Sequence, residues 1–229
     1  MQPTLAGDTN RGASLPPRAR TVLTLTVVLI GVYVVLDIVA QLLPPHFSPI
    51  SQAESDLAVG PYGYVMTLNF VVRGVLSLSF LVGLSAATGL VARSRVGAAL
   101  FAVWGVAAFI LAASPTDLSA TETTGHGKLH LLVAFLAFIA AAVAEVLLSR
   151  HFSEEPRLRP IARPAWALSF LTLSALVLLA VGTGVPYLLD HAFGLLERIF
   201  LGFVLLWVLV VSLYLLRSAR SSTAASVGS

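Results

Sequence analysis

Asn69 and Arg73 stand four residues apart, a spacing that puts both on one face of a helix. A guanidinium keeps its charge at any working pH and grips two oxygens at once, so this pair could hold a carboxylate or phosphate. Asp37, lone in another apolar stretch, is the simplest ion-pair partner for Arg73. His126 and His130 are also four apart and could offer two nitrogens to a metal, with Asp117 as an oxygen ligand and His191 as a third partner. Gly125 and Gly127 work against that geometry, and the spacing favours one loop histidine and one interfacial histidine. Glu197-Arg198 has the makings of a solvated interfacial pair. Ser55-Asp56 suits the cap of a surface helix better than a nucleophile without a base. Glu145, near a helix end, can reach water and reads as structural. No cysteine is present, which excludes thiol nucleophiles and thiolate metal sites.

The elements that must position these residues are set by composition. Hydrophobic residues are 57% of the chain and charged residues 11%, with mean hydropathy +0.91. A water-soluble fold could not cover that much apolar surface, whereas about 20 apolar residues at about 1.5 Å rise cross a bilayer core. Six spans can be drawn, at Thr21–Leu43, Tyr64–Val91, Val96–Ala113, Lys128–Leu148, Ala165–Leu189 and Phe193–Leu216. The expected fold is therefore all-α, a polytopic bundle of six transmembrane helices over 21–217, between disordered tails at 1–20 and 218–229.

Arginines crowd onto alternate connections, at Arg18/Arg20, Arg93/Arg95, Arg150–Arg163 and Arg217/Arg220. The positive-inside rule then puts both termini in the cytoplasm and makes the chain a multi-pass plasma-membrane protein. The pI of about 9.7 follows from these topology signals, which anchor lipid headgroups rather than bind nucleic acid. Projected on one axis, Asp37, Asn69, Arg73, Asp117, Lys128, His130, Asp190, His191, Glu197 and Arg198 all fall in the outer half. The inner half is nearly all Leu, Val, Ala and Phe, so an outward-facing polar cleft is expected.

Ser55-Asp-Leu-Ala-Val-Gly-Pro-Tyr-Gly-Tyr-Val-Met66 followed by Asn69-Phe-Val-Val-Arg-Gly74 resembles the signature of a prokaryotic family catalogued as domain of unknown function 998. Pro115-Thr-Asp117, Gly127, His130 and Glu197-Arg198-Ile199 resemble later parts of the same pattern. The resemblance runs from Val22 to Leu216 and implies a six-span membrane protein without an assigned activity. It singles out Ser55, Asp56, Asn69, Arg73, Asp117, His130, Glu197 and Arg198.

Three functions compete. Binding, or helping to move, a polar or anionic headgroup or small solute ranks first, with Asp37 added to the set above as the binding residues. A structural or assembly role ranks second. A metal-dependent hydrolase using Asp117, His126, His130 and His191 ranks third, so the chain leans away from being an enzyme, and no cofactor is expected beyond that metal. Membrane lipids are the expected partners.

The topology is testable in intact cells. Of single Ser14→Cys, Ala120→Cys and Ser226→Cys variants, only Ala120→Cys should react with an impermeant thiol reagent, and labelling at either tail would reverse the orientation.

Overall fold

The computed structural model describes residues 14–118 and 124–227, with side chains described through residue 218. In chain order the elements are α1 (Pro17–Leu42), a 3-10 turn (Glu54–Ala58), α2 (Gly63–Ala87), α3 (Leu90–Arg93) and α4 (Arg95–Ala113). There follow α5 (Gly125–Ser149), a second 3-10 turn (Arg159–Ile161), α6 (Ala162–Thr183) and α7 (Pro186–Val227). Six of these helical segments are long and apolar enough to cross a membrane, the shortest having 19 residues. At about 1.5 Å per residue even that one covers a hydrocarbon core of roughly 30 Å.

The termination signals are local. α1 opens on Pro17, where a missing amide proton costs nothing, and stops before Pro44-Pro45, whose peptide bond is cis. At the end of α2 the Thr88 hydroxyl donates to the Leu84 carbonyl and accepts from the Leu90 amide, so the chain restarts as short α3. Thr124 caps α5 by accepting from the Gly127 amide at 3.1 Å. Pro186 opens α7 after a turn at Gly184-Val185.

Several boundaries differ from the sequence reading. Thr124 is a good N-cap, so α5 begins at Gly125 rather than Lys128. Pro186 starts α7 ahead of Phe193, which puts Asp190 and His191 on a helix instead of in a loop. α7 also continues through Val227, into the segment expected to be an unstructured tail. At the other end α1 starts within 1–20, and Leu15 and Ala19 are buried in the main core. Expectations for residues 1–13, for 119–123 with Glu122, and for 228–229 lie outside the described residues.

The spans close into a ring in the order α1, α2, α4, α5, α6, α7, with α7 returning to α1. The α1/α2, α2/α4, α4/α5 and α6/α7 seams are broad, whereas α5/α6 and α7/α1 are thin. Aromatic side chains fill the centre: Phe80 lies 5.4 Å from both Phe101 and Trp207, and Phe138 lies 4.8 Å from Phe200. Trp207 donates its indole N–H to the Ser149 hydroxyl at 2.9 Å, and Ser149 meets Ser169 at 2.8 Å. Glu145, expected to reach water, is instead fully buried and, among the described residues, accepts a hydrogen bond only from Thr172, at 2.8 Å.

Gly74 makes the α2/α4 seam possible, because a Cβ there would lie 2.6 to 2.9 Å from the Phe109 ring. Gly74→Val should cost about 1–3 kcal/mol through overpacking, read as a lower Tm in detergent-free nanodiscs. An unchanged Tm would mean that the seam can open to take a larger side chain.

Candidate functional site

At the end of the bundle opposite the Arg93/Arg95 turn, the connection from Pro44 to Tyr62 folds over the helix ends as a cap. Its 3-10 turn follows from Asp56, whose Oδ2 accepts from the Ala53 amide at 3.1 Å. The Glu54 side chain points down into the bundle and is 3% exposed. Tyr33 of α1 donates to Glu54 Oε1 at 2.6 Å, and the Glu54 amide donates to Glu197 Oε2 of α7, also at 2.6 Å. One residue thus ties the cap to two spans whose shared seam is thin. Burial, then the Asp37 and Glu197 carboxylates, push the Glu54 carboxyl up to about 8 despite the Tyr33 hydrogen bond and the Arg73 charge. Burial also raises Asp56.

Arg198 secures the cap's other edge. Its Nη1 lies 3.0 to 3.1 Å from the carbonyls of Pro49, Gln52 and Gly194, and its Nη2 donates to Gln41 Oε1 at 3.0 Å. Gln41 in turn donates to the Phe47 carbonyl, and the Leu195 amide donates to that of Ile50. A Cβ at Gly194 would sit 2.0 Å from the Gln52 carbonyl oxygen, so only glycine allows this seat. Glu197 and Arg198 therefore do not pair with each other. Adjacent helical residues point about 100° apart, and each goes to a different part of the cap.

Arg73 is 2% exposed and does not pair with Asp37, as the sequence had suggested. Among the described residues neither Asp37 Oδ1 nor Arg73 Nε and Nη2 has a hydrogen-bond partner, and no ion pair joins them. The guanidinium lies instead over the Trp104 ring at 4.4 Å and the Phe70 ring at 5.0 Å. Such contacts are worth up to about 2 kcal/mol once desolvated. Asn69 is fully buried beside it, touching the Met66 sulfur at 3.9 Å, with Oδ1 unpartnered. Asn69 and Arg73 are thus sealed where α2 packs on α4, while Asp37 on α1 stays half-buried.

A separate cleft of about 640 Å³ opens where the α5/α6 seam is thin. Its polar end lies under the cap, formed by Ser55, Asp56, Asp117, His130, Asp190 and Glu197 with neighbouring Gln52 and Thr116. Its other end runs along α5 through Leu131, Ala134, Phe135 and Phe138, and along α6 through Leu176, Leu179 and Ala180. From Gly127 to Phe138 that is about 16 Å of depth at 1.5 Å per residue. Leu131 and Phe135 are 60% and 58% exposed, whereas Leu179 and Phe138 are buried, so the cleft leads from the lipid-facing surface toward the core. Among the described residues no Lys or Arg lines it.

Of the expected site residues, then, the structure gathers Ser55, Asp56, Asp117, His130 and Glu197 around the cleft. Asp37, Asn69 and Arg73 are not among the residues that line it, and Arg198 belongs to the cap. Asp117 also spends its carboxylate on Thr124, accepting from the amide at 2.7 Å and the hydroxyl at 3.0 Å. His126 is exposed, His130 is buried with Nδ1 2.6 Å from the Ser114 carbonyl, and His191 stacks on Tyr187 at 4.5 Å. Among the described residues no three of His, Asp and Glu come close enough to hold a metal ion, so this histidine set is not brought together.

Tyr33 and Glu54 were missed as site residues. Tyr33 stands four before Asp37, which already put it on the same face. Nothing local marked Glu54, because its partners are far away in sequence.

The chain matches the family described as "Protein of unknown function (DUF998)" over residues 13–214 and belongs to it. No curated protein and no solved structure matches the chain.

The cap's tie gives a pH dependence of definite sign. Glu54 holds its proton to about 8 when folded, against an ordinary value of 4.5. Its contribution to stability is fully present below about 4.5 and is lost as pH rises through about 8. The wild-type Tm should therefore fall between pH 5.5 and 8.5, with Asp56 adding a smaller effect of the same sign. In Glu54→Gln, which cannot ionise, the fall should shrink, and an equal fall in both proteins would remove Glu54 as its source.

Proposed function

We propose that this membrane protein binds a single membrane amphiphile, with its headgroup under the cap and its chain in the α5/α6 cleft. The observation that carries this reading is the cleft's two-ended chemistry. Polar groups crowd one end, apolar side chains line the other, and exposed Leu131 and Phe135 leave a lateral entrance from lipid. A volume of about 640 Å³ is ordinary for a small-molecule site. The Lys/Arg bias makes the cap face the outer one, so the ligand would enter from the outer leaflet of the plasma membrane.

Binding is favoured over conduction by what lies below the cleft. The aromatic cluster of Phe80, Phe101, Phe138, Phe200 and Trp207 occupies the ring's centre, and its polar neighbours Ser149, Ser169 and Thr172 bond to one another or to Glu145. The histidines that a metal-dependent hydrolase would use diverge, and among the described residues no three of His, Asp and Glu group closely enough to hold a metal. The sealed Arg73 group supports a second, structural role, that of holding α2 against α4, and does not compete with the cleft for the same residues.

Ala180 is exposed and lines the cleft, so Ala180→Trp can fill the cleft without disturbing the core. Native mass spectrometry of protein extracted from membranes should show wild type carrying one lipid-sized adduct and Ala180→Trp carrying none, with similar Tm values. Wild type emerging bare, or the variant retaining its adduct, would defeat the reading.

A further inference from the structure

The two buried polar side chains that line the cleft, His130 and Glu197, each turn an unmet acceptor toward it. His130 is 2% exposed, and its Nδ1 lies 2.6 Å from the Ser114 carbonyl oxygen. A carbonyl oxygen only accepts, so Nδ1 must carry the proton, and in the neutral ring Nε2 is left as a bare lone pair. Among the described residues nothing donates to it. Glu197 is 6% exposed and gives Oε2 to the Glu54 amide, while its other oxygen receives no hydrogen bond from the described residues. Both side chains line the cleft. Asp56, which the Arg198 charge reaches from the cap, and Asp190 stand nearby, and among the described residues no Lys or Arg lines the cleft itself.

Buried acceptors are normally met by donors, and leaving one unmet costs about 1–3 kcal/mol, more for a charged group. Water can satisfy such acceptors, but a ligand that displaces it has to bring donors of its own. An anionic headgroup brings none and would face carboxylates. A quaternary ammonium brings charge without an N–H.

We propose that the ligand of this cleft carries a primary ammonium, whose N–H groups donate to Glu197 and His130 while its alkyl chain runs along Leu131, Phe135 and Leu179. The proposal rests on the amphiphile-binding reading above and narrows it to one headgroup chemistry. Three ammonium protons match two buried acceptors with one left over for Asp56 or water. The positive charge sits among acidic residues, where desolvated charge-assisted hydrogen bonds are strongest. This replaces the anionic ligand that Arg73 suggested, because Arg73 lies outside the cleft and against Trp104.

The test uses full-length protein in amphipol, free of added lipid, titrated with four amphiphiles of one chain length while Tm and direct binding are read. Dodecylamine should bind saturably and at least about tenfold more tightly than dodecyltrimethylammonium, dodecanol or dodecyl phosphate, tenfold being about 1.4 kcal/mol. Ala180→Trp should abolish that binding. Glu197→Gln keeps an acceptor for the Glu54 amide but loses the charge, and should weaken dodecylamine about tenfold with little effect on dodecyltrimethylammonium. If this variant does not fold, the ligand series on wild type and Ala180→Trp decides alone.

Equal binding of dodecylamine and dodecyltrimethylammonium, or a preference for dodecanol or dodecyl phosphate, would overturn the ammonium assignment while leaving the cleft a binding site. If none of the four binds in a manner that Ala180→Trp blocks, the amphiphile reading itself fails. A final arm identifies the source of the amine. Selective binding of phosphatidylethanolamine over phosphatidylcholine would place it in a membrane lipid, whereas dodecylamine binding alone would point to a lipophilic amine without phosphate, and both outcomes support the ammonium class.

Discussion

Hydrocarbon offers no hydrogen bonds, so each polar side chain carried into this bundle must be met by the protein, by a bound group, or by water taken in with it. The three buried ionisable side chains at the cap end meet that constraint in different ways. Arg73 is met by ring faces, which can accept a cation without themselves being polar. Glu54 is met by Tyr33 and sits where its proton is retained. Glu197 is met on one side only, by the cap's backbone, and turns its other side to the cleft. The division of labour among sealed core, cap and cleft follows from these three solutions.

The cap is what couples them. Helices α1 and α7 form one of the two thin seams, yet both are tied to the cap, α1 through Tyr33 and Gln41, α7 through Glu197 and Arg198. A loop covering a helix end buries backbone groups that need partners, and Arg198 supplies several at once through the carbonyls of Pro49, Gln52 and Gly194. A lysine would offer a point charge without the fork. The missing Cβ at Gly194 then lets the cap backbone approach close enough for those bonds to form.

The fold was legible in the sequence because its signals are one-dimensional. Span length, arginine placement and breakers such as Pro44-Pro45 each act over a few residues, and the six spans are all there. Depth along the membrane axis grouped Asp117, His130 and Glu197, which line one cleft in the structure, while Asp56 came from the family resemblance. What depth could not supply was azimuth. Asp37 and Arg73 lie at similar heights and have opposite charges, yet Arg73 turns toward Trp104, a residue that only the α2/α4 seam brings near. Glu54 was hidden for the same reason, since its partners Tyr33 and Glu197 come from spans at opposite ends of the chain.

The thin α5/α6 seam is best understood against the broad ones. Where α2 meets α4, the missing Cβ atoms of Gly74 and Gly105 let side chains of the partner helix press against the backbone, and the packing gain holds the pair closed. Along α5 and α6 the facing residues near the cap end are large or lipid-exposed, Leu131 and Phe135 on one side and Leu176 on the other. In lipid there is no hydrophobic drive to close such a gap, because acyl chains solvate leucine as well as another leucine does. The gap therefore persists as a cleft whose apolar end lipid can enter freely. In the proposed binding role, selectivity has to come from the polar end, where unmet acceptors discriminate more sharply than any change in chain length along the apolar wall.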